Sequence, residues 1–247
     1  MTEILSPTCE NKTMRSKPLP RHVAIIMDGN RRYAKRESIS IQEGHIEGAE
    51  NLLRISQAAA NMGIEILTVY AFSTENWFRS EPEIQSLFHI FELYLNKMRP
   101  ALIENGIRLS TIGDVSPFPL SLKTILYEVK HATRNGRGLQ LVLAVNYGGR
   151  DDLKRAMIQI AKDIKNGKIE EADITEELIG QHLYTANFPD PDMLIRTSGE
   201  QRVSNFLLWQ ISYTEIFLRR MLWPDFSVDD FKEAVDEYRT RNKRMGV

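Results

Sequence analysis

Apolar residues recur along this chain in two alternating rhythms. Short continuous runs rich in branched side chains, at 23–27 and 66–72, suit strands buried on both faces. Between them, Ile46, Ala49, Leu52, Leu53, Ile55, Ala59 and Ala60 stand at a helical spacing over 44–62, and Gly63 supplies the stop. The alternation continues with the longest helical pattern at 82–105, a third strand at 107–112, a helix at 120–132, a fourth strand at 139–145 and a helix at 151–164. From Ile174 the order loosens into a helix reaching Tyr184, a short strand at 193–196, an apolar run at 206–211 and a charged helix from Val228 to Arg244. Strands that alternate with helices, through connections too long for hairpins, predict an α/β fold: a single domain with a central, mainly parallel β-sheet flanked by helices.

Composition changes that picture little. With 42% hydrophobic residues in a chain of 247, one large domain can build a substantial core. Lys and Arg number 32 against 33 Asp and Glu, so no global basic field points to nucleic acid. The single Cys9 excludes an internal disulfide framework and a multi-cysteine metal site, and it fits a reducing, cytoplasmic setting. Residues 1–20 carry Pro7, Pro18 and Pro20 among polar side chains, with neither a signal-peptide core nor a membrane span. They read as a flexible N-terminal arm before a single domain at 21–247, and the Asn11-Lys12-Thr13 sequon then carries no weight.

Candidate chemistry gathers where the strands end. The first run stops at Asp28, Gly29 lets the backbone turn, and the amides of Asn30 to Arg32 can lie along an anion as a helix opens. A carboxylate there can hold a divalent cation against the same anion, which predicts a magnesium-assisted phosphate site at the carboxyl end of a parallel strand. The second strand ends in Ser73, Thr74, Glu75, Asn76, Trp77 and Arg79, which suit either a phosphate-positioning loop or a helix-capping loop. A third cluster, 196–205, sets Arg196 and Arg202 with Ser198, Val203 and Ser204 around Gly199; the fixed fork of arginine suits the oxygens of a diphosphate. Glu215 stands among Ile211, Ile216, Phe217 and Leu218, where a carboxylate requires a partner or a metal. His89, His131 and His182 fall on helical segments as solvated or packing residues, and Asp151-Asp152 read as the start of a helix.

Taken together, HVAIIMDGN at 22–30, Gly44-His45, YAFSTENWFRS at 70–80, Asn146 to Arg150, and RTSGEQRVSNFLLWQISYTE at 196–215 with LWPDF at 222–226 resemble the cis-prenyltransferase family. The resemblance runs from Arg21 to Arg244. It implies a reaction in which farnesyl diphosphate is extended by isopentenyl diphosphate units, each joined with a new cis double bond and loss of diphosphate. The implied product is a medium-length polyprenyl diphosphate of undecaprenyl type, precursor of a lipid carrier for cell-wall polysaccharide, and the implied cofactor is Mg²⁺. Carried over by position, Asp28 is the metal-binding acid that helps the allylic diphosphate leave. Gly29, Asn30, Arg31 and Arg32 form the turn that cradles it, with His45 and Arg79 beside it. Arg196, Arg202 and Ser204 match the isopentenyl diphosphate site, and Glu215 the second metal ligand. Ser73, Thr74 and Glu75 fall in a substrate-contacting loop, and Tyr33, Trp77 and Val203 among substrate-contacting positions.

Asn76 matches a position given a proton-accepting role. A carboxamide is a very weak base, so Asn76 better orients the substrate while a diphosphate oxygen or His45 takes the proton. The helix at 82–105 offers a wall for the hydrocarbon: Ile84, Leu87, Phe88, Phe91, Tyr94, Leu95, Met98 and Leu102 form a stripe, with Ile90 and Leu93 beside it. Burial in the core or at a dimer interface explains that stripe equally well. The chain also departs from the family pattern. Arg31 stands in place of glycine, Tyr33 in place of tryptophan, and Ile41 in place of an arginine that contacts the allylic diphosphate. Loss of that contact is worth about 1.5–3 kcal/mol, and Arg31, Lys35 or Arg36 is expected to replace it. A magnesium phosphohydrolase is the nearest rival enzyme, but Asn30 fills the place of its second acid; a catalytically silent partner subunit is the rival outside enzymes. The apolar faces predict a homodimer, and delivery of a long lipid predicts transient contact with a membrane.

Overall fold

The computed structural model describes residues 18–241. Most of the expected arm, with Cys9 and the sequon, lies outside the described residues, as does the expected end of the last helix at Arg244. In chain order the elements are β1 (His22–Ile26), α1 (Asn30–Glu37), α2 (Ile41–Met62), β2 (Ile66–Ser73), α3 (Glu81–Glu104), β3 (Arg108–Ile112), α4 (Leu120–Thr133), β4 (Gln140–Tyr147), α5 (Gly149–Lys165), α6 (Glu176–His182), β5 (Met193–Arg196), β6 (Glu215–Leu218) and α7 (Val228–Thr240).

The six strands form one sheet in the order β3-β4-β2-β1-β5-β6, and every pairing is parallel. Alternate strand residues sort to opposite faces, as the two-residue period of a strand requires. Val23, Ile25, Leu67, Val69, Leu141, Leu143 and Ile195 join a large core with α2, α3, α4 and α7. Ala24, Ile26, Val142, Ala144 and Leu194 join a smaller core with Phe206 and Leu207. Both faces of β1 are therefore covered, which is why its sequence is a continuous apolar run.

One expectation shifts. The apolar run at 206–211 forms turns in which Phe206 and Leu207 are buried, and the sixth strand instead holds Glu215 and its followers. The α2 helix also begins earlier than its apolar spacing shows, because Ser40 caps it and Glu43 closes a reciprocal capping box.

The strand order places the functional region. Connections run to one side of β1 through β2 and β4, then cross to β5 on the other side. That reversal opens a crevice beyond the carboxyl ends of β1 and β5, where open α/β sheets bind ligands.

Candidate functional site

Asp28 and Arg196 meet in that crevice. Ile26 pairs with Arg196 across the two strands, and Arg196 Nη2 donates to Asp28 Oδ2 at 2.8 Å. Thr197 Oγ1 fixes the turn from below, donating to the Asp28 carbonyl at 2.7 Å and accepting from the Asp28 amide at 3.0 Å. Partial burial pushes the Asp28 carboxyl up, but hydrogen bonding and charge from Arg196, with Arg32 and Ser198 behind, hold it below the usual carboxylate range. Arg196 itself is buried; its Nη1 donates to Ser204 Oγ at 2.7 Å and to the Arg202 carbonyl. Arg202 and Arg32 both pair with Glu200, so the cluster at 196–204 folds as one polar unit around the end of β5.

Gly29 makes the turn into α1 possible. Its φ is +120°, and a Cβ there would stand 3.0 Å from Leu222. No side chain caps α1, so the amides of its first turn face the crevice in the arrangement that receives anions. Asp28, Gly29, Asn30, Arg31, Arg32, His45 and Arg79 line the resulting polar cleft. Arg31 and Arg79 converge on Glu83, at 3.8 and 2.9 Å. Lys35 is not among the lining residues, and Arg36 is engaged elsewhere, forking onto Asp225 at 2.6 and 2.7 Å. Of the three candidates for the charge missing at Ile41, only Arg31 stands in the cleft.

Packing of α2 against α1 is close enough that a Cβ at Gly48 would fall 2.5 Å from Asn30 Oδ1. Asn30 Nδ2 lies 3.4 Å from His45 Nδ1. Asn30 Oδ1, His45 Nε2 and Arg196 Nε are buried and find no hydrogen-bond partner among the described residues. Three orphaned polar atoms around one crevice are what a site built for a polar ligand holds in reserve. Burial, then the charge of Arg79, push the His45 imidazole down to about 4, so it is neutral at ordinary pH.

Beneath the cleft lies an apolar cavity between the sheet and α2 and α3. From the α3 stripe, Leu87, Ile90, Phe91, Tyr94, Leu95 and Met98 line it; Ile84, Phe88 and Leu102 enter the core and Leu93 faces solvent. Ala71, Leu143 and Trp223 complete the wall. Trp223, of the LWPDF motif, donates its amide to the Asp28 carbonyl at 2.9 Å and its indole N–H to the Gly48 carbonyl at 2.7 Å.

Other expected residues stand apart from the cleft. Asn76 Oδ1 accepts from the Ser73 amide at 2.9 Å, tying down its own loop. Thr74 and Glu75 line a neighbouring hollow with Arg150, Lys154 and Asn205, and Asn205 donates to Glu75 at 2.7 Å. Trp77 donates to Asn146 at 2.8 Å and packs among Phe72, Phe88 and Phe118. Tyr33 faces Arg36, whose guanidinium carbon lies 5.0 Å from the ring centroid, and Val203 packs on the smaller core.

Glu215 is the largest surprise. It pairs with Met193, which in turn pairs with Val23 at the amino-terminal edge of the sheet, whereas Asp28 follows the carboxyl end of β1. Strand rise alone separates them by about 15 Å, so they do not share an ion within one chain. Glu215 lies instead 3.7 Å from Arg241. Among the described residues no three His, Cys, Asp or Glu side chains gather as a metal shell. Asp28 on an arginine-lined rim still fits a hard cation, which takes one or two carboxylates together with substrate phosphates.

A cleft for an anionic head that opens on an apolar channel, at the switch point of a parallel sheet, suits an amphiphile with an anionic head and a hydrocarbon tail. Residues 26–246 match the undecaprenyl diphosphate synthase family model, and the chain belongs to that family of cis-prenyltransferases. It is 48% identical to the isoprenyl transferase of Chlamydia caviae, over 92% of this chain and 93% of that one. It is 41% identical to the farnesyl-diphosphate-specific ditrans,polycis-undecaprenyl-diphosphate synthase of Micrococcus luteus, over 96% and 95%. The crystal structure of lavandulyl diphosphate synthase from Lavandula x intermedia, in complex with dimethylallyl diphosphate, superposes with a TM-score of 0.90 at 39% identity, covering 93% of this chain and 99% of that one. Among the described residues no helix is long and apolar enough to cross a membrane.

Proposed function

We infer that this prenyltransferase joins isopentenyl diphosphate units to farnesyl diphosphate with Mg²⁺ as its metal, and releases a medium-length polyprenyl diphosphate, a lipid-carrier precursor. One observation carries the reading: Met27, Asn30 and His45 belong both to the arginine-lined cleft and to the apolar cavity. A single molecule with an anionic head and a hydrocarbon tail fills both at once.

In the reaction the allylic C–O bond breaks, diphosphate leaves with the electron pair, a C–C bond forms to isopentenyl diphosphate, and a proton is lost. Arg31, Arg32, Arg79 and the α1 amides hold the departing diphosphate and stabilise the charge that develops on it. Asp28 would hold Mg²⁺, which neutralises the leaving group. Arg196, Arg202 and Ser204 hold isopentenyl diphosphate. Asn76, tied to the Ser73 amide, positions the loop. His45, at about 4, is a poor base, so a diphosphate oxygen takes the proton and His45 serves as a hydrogen-bonding wall.

Residues 21–247 act as the catalytic domain of a cytoplasmic homodimer that meets the membrane when it releases product. Exposed Tyr213, Ile216 and Leu218 on and beside the edge strand β6 support the dimer. Glu215 lies in the same strand, and it can complete the metal shell at Asp28 only from a second copy.

The test is diphosphate release. Release that requires farnesyl diphosphate, isopentenyl diphosphate and Mg²⁺ together supports the reading. Release from farnesyl diphosphate alone makes the chain a phosphohydrolase, and no release under any condition makes it a silent subunit.

A further inference from the structure

One residue beside the cleft ties three strand ends together, and the condensation described above gives it no task. Asn205 follows Ser204 in the turns beyond β5. Its Nδ2 donates to Glu75 Oε1, just past the end of β2, at 2.7 Å. Its Oδ1 accepts from the Arg150 amide at 2.9 Å, and its carbonyl from the Gly149 amide at 2.7 Å, where α5 opens after β4. On the same turn, Ser204 Oγ accepts from Arg196 Nη1 at the end of β5, at 2.7 Å. In the sheet β1 separates β5 from β2 and β4, so no backbone ladder makes this connection.

The joint is closely built. A Cβ at Gly148 would stand 2.5 Å from Thr74 Oγ1 and 2.8 Å from Asn205 Nδ2, so only glycine fits where β4 runs out between the two loops. Ser204 and Asn205 hold φ at +46° and +62°, a left-handed backbone that asparagine tolerates and serine adopts at a cost. Partial burial pushes the Glu75 carboxyl up, but hydrogen bonds led by the one from Asn205 hold it below the usual range. The bond from Asn205 is therefore charge-assisted at neutral pH. A serine hydroxyl that accepts from Arg196 keeps its own proton to donate to a diphosphate oxygen. Where that hydroxyl stands depends on a strained turn, which persists only while its surroundings hold it.

Resting on the isopentenyl diphosphate site inferred above, we propose that Asn205 is a positioning residue for that site: its bonds to Glu75, Gly149 and Arg150 hold the turn that presents Ser204 beside Arg196. The ordering is done before substrate arrives, so it strengthens binding of isopentenyl diphosphate. The allylic diphosphate, held across the crevice by the turn after β1, does not depend on it.

Initial-rate kinetics with each substrate varied in turn test the role. Asn205→Gly keeps the left-handed backbone and removes both side-chain bonds; the KM for isopentenyl diphosphate is expected to rise about tenfold, the worth of two ordinary hydrogen bonds, with the KM for farnesyl diphosphate within twofold of native. Asn205→Asp sets two carboxylates together and is expected to raise the same KM. Adding Glu75→Gln to it restores the contact with donor and acceptor exchanged, and should recover most of the loss. An isopentenyl diphosphate KM unchanged in Asn205→Gly overturns the proposal, as does an equal rise for both substrates, which marks general loosening of the fold. Where the glycine variant fails to fold, an Asn205→Asp defect that Glu75→Gln does not relieve overturns it instead. Arg202→Ala keeps the two readings apart. If it leaves the KM for isopentenyl diphosphate unchanged, the site itself is misplaced and the proposal falls with it; if it raises that KM while Asn205→Gly does not, the proposal falls alone.

Discussion

Arg196 reaches Asp28 across two neighbouring strands, with 2.8 Å between Nη2 and Oδ2, while its own Nε remains buried and unpaired. The guanidinium is almost fully enclosed and the carboxylate is 27% exposed. Removing the carboxylate therefore strands a buried positive charge. Asp28→Ala is expected to lose about 1–3 kcal/mol of stability, less than a fully buried pair because water reaches Asp28. Condensation is expected to fall by about 10²–10³-fold. Inorganic pyrophosphate supplies the missing negative charge, so it should raise the melting temperature of the variant more than that of the native chain. Equal shifts would mean that Arg196 does not face the anion site.

Arg31 and Arg36 are close in sequence but serve different ends. The first lines the cleft, and the second is forked onto Asp225. Arg31→Ala should raise the KM for farnesyl diphosphate about 10- to 100-fold, the worth of one charged hydrogen bond. Arg36→Ala should leave that KM unchanged and cost under about 1 kcal/mol of stability, as exposed pairs do. Initial-rate kinetics on both variants separate the roles, and a KM that moves for Arg36 instead reverses the assignment.

Two buried histidines tie stability to pH. His22, enclosed between Pro189 and Thr68, and His45 are each held to about 4, against a usual 6.5, with burial the main cause in both. Between those values the unfolded chain binds protons that the folded chain refuses, so stability rises with pH across about 4–6.5 and is complete above it. Each histidine contributes about 3 kcal/mol to that rise. Asp28, whose carboxyl is held low, keeps its share down to the ordinary carboxylate range and loses it as pH falls from there through its own lowered value. Chemical denaturation at stepped pH should show the rise, and His45→Gln should remove one proton from its slope. A slope that His45→Gln leaves untouched would place a charged imidazole in the folded cleft.

Complementation tests the placement of Glu215. Asp28→Ala and Glu215→Ala chains should each be inactive. Mixed, they form dimers in which one site pairs an intact Asp28 with an intact Glu215 from the other copy, and about a quarter of native activity should return. No recovery on mixing means that Glu215 does not act across the interface.

Most of the fold was legible because the sheet is parallel and covered on both faces: β1, β2 and β4 are continuous apolar runs that cannot be mistaken for half-exposed strands. The sixth strand was not, since its exposed edge breaks the apolar run around Glu215, Ile216 and Leu218. Within the site, Asp28, Arg31, Arg32, His45, Arg79 and Arg196 were readable from strand ends and motifs. The separation of Glu215 from Asp28 within one chain has a simple cause. A motif gives order along the chain, but the end of the sheet a residue occupies depends on strand register, which only the pairing of β5 with β6 reveals. Thr197 and Trp223 went unassigned because their work is done by a hydroxyl and an amide bonded to the Asp28 backbone, contacts no side-chain type announces.

The most direct measurement is incubation of the purified chain with Mg²⁺, farnesyl diphosphate and labelled isopentenyl diphosphate, with the extracted products resolved by length beside an Asp28→Ala control. The prediction is a ladder that ends at one medium-length polyprenyl diphosphate and vanishes in the control and in EDTA. A folded native chain that yields no labelled prenyl product at any concentration of either substrate would contradict it.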